Sequence, residues 1–492
     1  MSARIEPGTE LRLSPQSFWL QDALAADAGA PCPALRGSLT ADVCVVGGGF
    51  AGLWTAYELH ERQPSLNVVL IEADICGSGA SGVNGGFLSS SWHDILGICA
   101  IYGESEGLRY ASALADQIAE IDQWRLRHGA DIELHAEGVV FVRAGEWQPE
   151  PDPEPVAFLE SRGETGRLRI MTADEVRAIA DSPRFLGGTL IPDVATVQPA
   201  KLARELRRVL LERGVRIFES TPMTGLCTGS PVHVHAPQGV VRCEQAVVTT
   251  GAWASSAPPF RNAFVVCVDS VVATEPIPEL LEGIGWTSHV GFADDRESFF
   301  YVRRTEEGRV VIGGGSLGIA YGDRIDGRAG EPVSRAITST AGATIAAEGL
   351  LWLFPQLRGV RFTHAWTGPM DMTASLLPFF MSSPDGTVHV GLGFSGHGLA
   401  ATRVGGKTLT SMVLRADDEW ATLPVVGPPL RAVPPEPLRW PVLKSLASIV
   451  DASDLARQRG GPGSPLARLA TRLYLRSRMG LKAPAASRPP VG

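Results

Sequence analysis

The chain has 492 residues, 44% of them hydrophobic and 20% charged, which is ordinary for a globular protein and long enough for two domains. Its net charge of -9 argues against a general nucleic-acid-binding protein. Seven cysteines without a C-x-x-C pair favour reduced thiols in a cytoplasmic protein. The sequence shows neither a secretory signal nor an uncharged apolar run of about 18 residues, so we expect no membrane span.

The first predicted elements follow an N-terminal arm, residues 1–40, whose aromatic cluster at 18–20 is expected to pack on the body. The apolar run 43–46 ends in glycines and predicts a buried parallel strand. Residues 50–62 have helical spacing, and 67–71 predict a second buried strand. Together these segments predict a β-α-β unit.

Later segments predict further elements of both types. Helices are expected at 103–128, 201–213 and 400–414, and strands at 215–218, 246–249 and 388–392. Residues 261–315 alternate between apolar and polar, as in an antiparallel sheet, with strands at 264–268, 271–274, 299–303 and 310–312. The predicted fold class is therefore α/β (α+β overall), with a Rossmann-like domain interleaved with an antiparallel-sheet domain.

A glycine motif lies between the first strand and the first helix of the β-α-β unit. Gly47 permits a tight turn, Gly49 lets the backbone approach a pyrophosphate, and Gly52 allows close helix–strand packing. The helix then begins at Phe50 and Ala51 and offers its N–H groups to phosphates. Glu72 ends the second strand, where a carboxylate accepts hydrogen bonds from ribose hydroxyls. The alternative is a glycine-rich turn without a ligand.

A second stretch of small residues follows Glu72. Residues 77–86 read GSGASGVNGG, which suggests backbone lying flat against a large group. Here the chain resembles the D-amino-acid-oxidase-like family of flavoenzymes, which includes glycine and sarcosine oxidases, and this run looks most like its γ-glutamylputrescine oxidase branch. The segments 197–202, 221–223, 247–253, 366–369 and 391–398 resemble further motifs of that family in the same order.

The resemblance implies a non-covalently bound FAD. The last cysteine is Cys267, too early for the covalent link of some relatives, and Asn84 and Gly85 stand near the position of a linking histidine in others. The implied cofactor-binding residues are Gly47, Gly49, Phe50, Ala51, Gly52, Glu72, Ala73, Gly79, Ala80, Ser81, Asn84, Gly85, Gly86, Met223, Thr250, Gly251, Trp253, Gly368, Gly393, Gly396, His397, Gly398 and Leu399.

The implied domains are discontinuous. The FAD-binding domain is expected at 41–95, 190–260 and 355–430, and the substrate domain at 96–189 and 261–354. Residues 431–492 form a separate basic extension with 11 Lys or Arg and 3 Asp or Glu. Three interpretations of the extension stay open: a solvated or packed tail, contact with an anionic membrane surface, or binding of a partner protein.

Five side chains are candidates for the chemistry. His397 is expected beside the flavin, where it selects the protonation state of an amine. Trp92 and His93 are candidates for the wall of the substrate cavity. Tyr301 and Arg303 share one face of a predicted strand, and Arg303 is a candidate partner for a substrate carboxylate. For each the alternative is a purely structural role, and no metal site is predicted.

The favoured function is oxidation of a C–N bond in a small amine or amino acid by hydride transfer to flavin, with oxygen or a quinone as electron acceptor. A departure from the family concerns the Thr-Pro-Asp of many relatives, replaced here by Thr373-Ala374-Ser375. Two alternatives remain open, an FAD-dependent monooxygenase and a non-catalytic flavoprotein or electron carrier.

Overall fold

The computed structural model describes residues 11, 13–14, 16–27, 29–323, 325 and 340–479. The α-helices in this part of the chain are α1 (Phe18–Ala26), α2 (Phe50–Arg62), α3 (Ile95–Tyr102), α4 (Glu104–His128), α5 (Glu154–Glu160), α6 (Ala173–Arg177), α7 (Pro199–Glu212), α8 (Pro278–Gly283), α9 (Thr340–Leu353), α10 (Gly398–Leu414), α11 (Arg439–Gln458) and α12 (Pro465–Met479).

The strands are mostly short. They are β1 (Gly37–Val46), β2 (Val68–Ile71), β3 (Phe87–Ser89), β4 (Val139–Val142), β5 (Arg169–Met171), β6 (Gly188–Ile191), β7 (Val194–Thr196), β8 (Arg216–Phe218), β9 (Gly225–Cys227), β10 (Val232–Ala236), β11 (Gly239–Val248), β12 (Val265–Thr274), β13 (Gly291–Asp294), β14 (Phe300–Arg304), β15 (Val310–Gly314), β16 (Gly318–Ile319), β17 (Phe362–Met372), β18 (Phe379–Ser382) and β19 (Val388–Leu392).

The first sheet is mainly parallel. Its order is β18-β19-β11-β1-β2-β8, with β10 and β9 added beside β11. β1 pairs in parallel with both β2 and β11, and its Val43, Val45 and Val46 are fully buried. Continuous apolar runs suit these central strands because helices cover parallel sheets on both faces. The predicted β-α-β unit is β1-α2-β2.

The second sheet is mainly antiparallel. Its order is β16-β12-β15-β14-β13-β4-β6-β5, with β17 paired along β12. β4 and β13 are its parallel pair. Helix α9 packs on this sheet, where Ala343, Ala346 and Leu350 join a core cluster with Phe300. The predicted α/β class, with one parallel and one antiparallel sheet from interleaved segments, is confirmed.

Two features differ from the sequence predictions. The strands expected at 264–268 and 271–274 are one strand, β12. β17 lies within 355–430, which was assigned to the cofactor domain, yet it pairs with β12 of the second sheet. The predicted domain boundaries remain a prediction, but this strand belongs to the antiparallel sheet. The proline-rich start of the extension leads directly into α11. Its first turn tolerates Pro441 because the N–H that proline lacks would have no helical partner there.

Candidate cofactor and substrate cavity

A single cavity of about 2320 Å³ lies where the two sheets meet. One part of its wall comes from the carboxyl ends of parallel strands, including Val46, Ile71 and Val248. Another part comes from the cavity-facing side of β12, where every second residue from Val265 to Val271 lines it. Ligands bind at the carboxyl ends of strands in open α/β sheets, so this is the expected place for a cofactor.

The glycine motif forms a close turn between β1 and α2. Gly47 has φ +113°, a conformation that favours glycine. A Cβ on Gly52 would lie 1.9 Å from the carbonyl oxygen of Gly47, so no larger residue fits. Gly49, Phe50 and Ala51 line the cavity at the start of α2. A helix N-terminus in a cavity wall attracts phosphate through its N–H groups and its dipole.

Glu72 lies beside this turn at the end of β2. Its two carboxylate oxygens accept hydrogen bonds from the backbone N–H of Gly48 (2.6 Å) and of Asp74 (2.9 Å). Burial raises its pKa although both hydrogen bonds oppose this. The carboxylate thus has a fixed position in the cavity wall, as a group that binds ribose hydroxyls requires.

The loop of small residues is held by its own side chains. Asn84 Nδ2 donates to the carbonyls of Ala80 (3.0 Å) and Ser81 (2.8 Å), and Asn84 Oδ1 accepts from Gly86 N–H (2.8 Å). Ser81 Oγ accepts from Phe50 N–H (2.8 Å), which ties the loop to the start of α2. The loop and the glycine motif therefore form one connected wall.

A second helix N-terminus faces the cavity at α10, which begins at Gly398. The turn before it is anchored by Asp371, whose Oδ2 accepts from Gly393 N–H (2.6 Å). His397 Nδ1 lies 3.0 Å from the carbonyl oxygen of Ser395, so this nitrogen carries the proton. The rings of His397 and His93 are 6.2 Å apart, and His93 stacks on Phe141 at 5.0 Å.

Most of the predicted site residues line this cavity. They are Gly47, Gly49, Phe50, Ala51, Glu72, Ala73, Gly79, Ala80, Ser81, Asn84, Gly85, Met223, Thr250, Gly251, Trp253, Gly368, Gly396, His397, Gly398, Leu399, His93 and Tyr301. Gly52, Gly86 and Gly393 lie behind the wall and shape its turns. These glycines, the two helix N-termini and the fixed Glu72 carboxylate together fit a dinucleotide cofactor.

Two of the catalytic candidates do not reach the cavity. Trp92 is fully buried, and its Nε1 donates to Asp193 (3.1 Å) in the body of the protein. Arg303 is also buried, and its Nη1 donates to the carbonyls of Gly86 (3.2 Å) and Val197 (2.5 Å). Its guanidinium lies 5.2 Å from the centre of the Trp19 ring. The glycine loop and α1 cover this end of the strand, so the guanidinium is occupied by backbone carbonyls, and the pairing of Arg303 with a substrate carboxylate stays a prediction.

The sequence reasoning missed two carboxylates of the cavity wall, Asp269 and Asp371. Asp269 is the single charged residue of β12, and Asp371 is the single acidic residue of β17. The available signal was a lone carboxylate in the mostly apolar β12, because a buried charge is costly without a role; β17 has further polar residues and gives no such signal for Asp371.

The C-terminal extension also contributes to the wall. Leu443, Leu446 and Val450 of α11 line the cavity beside Asp451. Asp451 accepts hydrogen bonds from the hydroxyls of Ser298 (2.6 Å) and Ser316 (3.0 Å), which fixes α11 on the second sheet. A buried ion pair between Arg439 and Asp323 secures the start of the helix. Up to α11 the extension is packed and not a free tail.

Comparison with known proteins agrees with this geometry. The family described as FAD dependent oxidoreductase matches residues 42–412. Gamma-glutamylputrescine oxidoreductase of Escherichia coli is 30% identical, over 82% of this chain and 91% of its own length. The sarcosine oxidase subunit beta of Rhodobacter capsulatus is 23% identical, over 76% of this chain and 84% of its own length.

Solved structures show the same fold. Glycine oxidase from Geobacillus kaustophilus has a TM-score of 0.60 at 21% identity and covers 77% of this chain and 96% of its own. Iminodiacetate oxidase from Chelativorans sp. BNC1 has a TM-score of 0.61 at 18% identity and covers 78% of this chain and 99% of its own. Together with the family match over most of the chain, these findings confirm the resemblance seen in the sequence. The chain belongs to the FAD dependent oxidoreductase family, and FAD is its cofactor.

Proposed function

We propose that the protein oxidises a C–N bond in a small amine or amino acid. The observation that carries this proposal is the continuity of the cavity from the glycine motif to His93, His397 and Tyr301. A substrate in the second part can therefore contact a cofactor held in the first. The names of the relatives support the same chemistry, since γ-glutamylputrescine, sarcosine and glycine are all amino compounds.

In this proposal, some residues of the cavity wall bind the cofactor and another accepts a proton from the substrate. Bound FAD supplies a ring that accepts hydride from the carbon next to nitrogen. The N-terminus of α2 and Glu72 hold the nucleotide part, and the N-terminus of α10 stabilises negative charge near Gly398. Only a neutral amine donates hydride readily, so a base must take the ammonium proton. Because His397 Nδ1 is protonated against Ser395 O, its Nε2 is the nitrogen that can accept this proton.

The oxidation removes two electrons and yields an imine, which water hydrolyses to a carbonyl compound and an amine or ammonia. We propose oxygen as the acceptor, giving hydrogen peroxide, with a membrane quinone as the alternative. No helix in the described part of the chain is long and apolar enough to cross a membrane. α12 does expose Leu466, Leu469 and Leu473 next to Arg468 and Arg472, a pattern that suits contact with an anionic lipid surface.

Anaerobic addition of amines and amino acids to the purified yellow protein tests the function. Bleaching of the flavin band near ~450 nm by one compound supports it, and admitting air then separates an oxidase from a dehydrogenase. Hydroxylated product coupled to NADPH consumption would replace the proposal with a monooxygenase. A protein that no amino compound bleaches would contradict it.

Two further proposals need their own measurements. Acid precipitation should release the yellow colour into the supernatant, because we propose that FAD is bound without a covalent link. Yellow pellets would contradict this. Co-sedimentation with anionic liposomes should fall when Leu469 is changed to Asp, and the absence of pelleting of the unchanged protein would exclude the lipid surface.

A further inference from the structure

A carboxylate is fixed in the floor of the cavity. Asp269 lies in the middle of β12 with its side chain toward the cavity. Its Oδ2 accepts from the hydroxyl of Tyr301 (2.6 Å), and its Oδ1 accepts from the backbone N–H of Ser270 (2.7 Å) and Gly314 (3.2 Å). The three donors come from three adjacent strands, so the carboxylate has little freedom to move. Tyr301 stays neutral because burial and the nearby Asp269 raise its pKa.

The charges around the cavity are mostly negative. Among the described residues that line it, the cationic side chain is that of Arg431, and the carboxylates are those of Glu72, Asp74, Asp94, Asp269, Glu297, Asp371 and Asp451. Several of these carboxylates accept hydrogen bonds that fix the fold. Asp371 accepts from the backbone N–H of Gly393, and Asp451 accepts from the hydroxyls of Ser298 and Ser316. The bonds of Asp269 orient it but bring no positive charge. Outside the part where the N-terminus of α2 is expected to hold phosphate, this balance favours cations over anions.

A purely structural role explains Asp269 poorly. A neutral side chain such as Asn would accept the same backbone hydrogen bonds without the cost of a buried charge. An ammonium group entering the cavity would supply the missing positive charge and form a charge-assisted hydrogen bond. Because the nitrogen at the reacting carbon must be neutral when hydride leaves, the cation bound here is a second nitrogen of the substrate.

We propose that Asp269, oriented by Tyr301, binds a positively charged nitrogen of the substrate that does not itself react. The preferred substrates are then diamines and related compounds with a second ammonium group. This inference rests on the proposed oxidation of amines and adds the residue that selects among them. Tyr301 is a positioning residue in this arrangement.

The test compares butylamine with 1,4-diaminobutane on the full-length FAD-bound protein without oxygen. Calorimetry gives the Kd of each amine whether or not the flavin bleaches, and absorbance gives the rate of bleaching separately. The protein should bind the diamine at least about 10-fold more tightly, the range expected for a hydrogen bond to a charged group. Asp269→Asn should remove this preference. The Kd of the diamine should rise, whereas the Kd of butylamine should stay within about threefold of its value in the unchanged protein.

Matched variants separate charge from fold. Asp116→Asn removes an exposed carboxylate on α4 and should keep the preference. Asp269→Glu keeps the negative charge and should retain part of the preference for the diamine. Tyr301→Phe should weaken this preference less than Asp269→Asn does. Equal affinity for the two amines in the unchanged protein, or an unchanged preference in Asp269→Asn, overturns the assignment. Diamine binding that needs Asp269 but never bleaches the flavin would instead contradict the proposed oxidation.

Discussion

We expect Asp269 to affect stability as well, independent of any substrate. Burial raises its pKa from 3.8 to about 6 in the folded protein. Because the folded pKa lies above the unfolded one, the folded state holds the proton more tightly, and stability is lost as pH rises from about 4 to about 6. With somewhat more than 1 kcal/mol for each pKa unit, the cost is about 1–2 kcal/mol at pH 5 and about 3 kcal/mol at pH 8.

Asp269→Asn removes this cost. We therefore expect the substituted apoprotein to be more stable than the unchanged one. This gain in the free energy of unfolding should be larger at pH 8 than at pH 5 by about 1–2 kcal/mol. Urea unfolding followed by tryptophan fluorescence at both pH values measures the difference, with Asp116→Asn as the control for loss of a surface charge. An advantage that is equal at the two pH values, or a loss of stability at pH 8, would refute the reasoning.

Three further predictions concern the walls of the cavity. Gly52→Ala should yield protein without flavin, since its Cβ would meet a carbonyl oxygen at 1.9 Å, whereas Gly283→Ala, with open space around it, should purify yellow. Leu446→Trp on α11 should raise KM for bulky amines without changing flavin content. Arg303→Met should lower the free energy of unfolding by about 1–3 kcal/mol, because two carbonyls lose their donor, and should leave the Kd of substrates unchanged. A selective loss of carboxylate-bearing substrates would support Arg303 as a binding residue.

The parallel sheet was the most predictable part of the fold. Continuous apolar runs such as 43–46 are typical of strands buried on both faces, and the glycines after them fixed the start of α2. β17 was harder, because Gly368 and Pro369 interrupt its sequence and its partner β12 lies about a hundred residues earlier. Pairing between distant strands depends on register, which periodicity within one segment does not reveal.

Most of the residues predicted to bind the cofactor line the cavity, for a related reason. The turn after β1 and the loop 77–86 are local structures whose requirement for small residues is visible in the sequence. The substrate part was harder to predict, because a strand can line the cavity over part of its length and then continue beneath a covering loop. Tyr301 and Arg303 share a face two residues apart, yet Tyr301 lines the cavity and Arg303 lies beneath the loop at Gly86. Alternation gives the face of a residue but not what covers it.

The two parts of the cavity also differ in how far the family explains them. The family match covers residues 42–412, so it contains the glycine motif, Glu72 and the start of α10, and also Asp269 and Tyr301 of the proposed substrate part. α11 begins at Arg439, beyond this match, and still provides Leu443, Leu446 and Asp451 to the wall. The cofactor therefore follows from family membership, whereas the shape of the proposed substrate space also depends on α11, a segment outside the match. We therefore expect substrate preference to depend above all on Asp269 and on the face of α11 that lines the cavity.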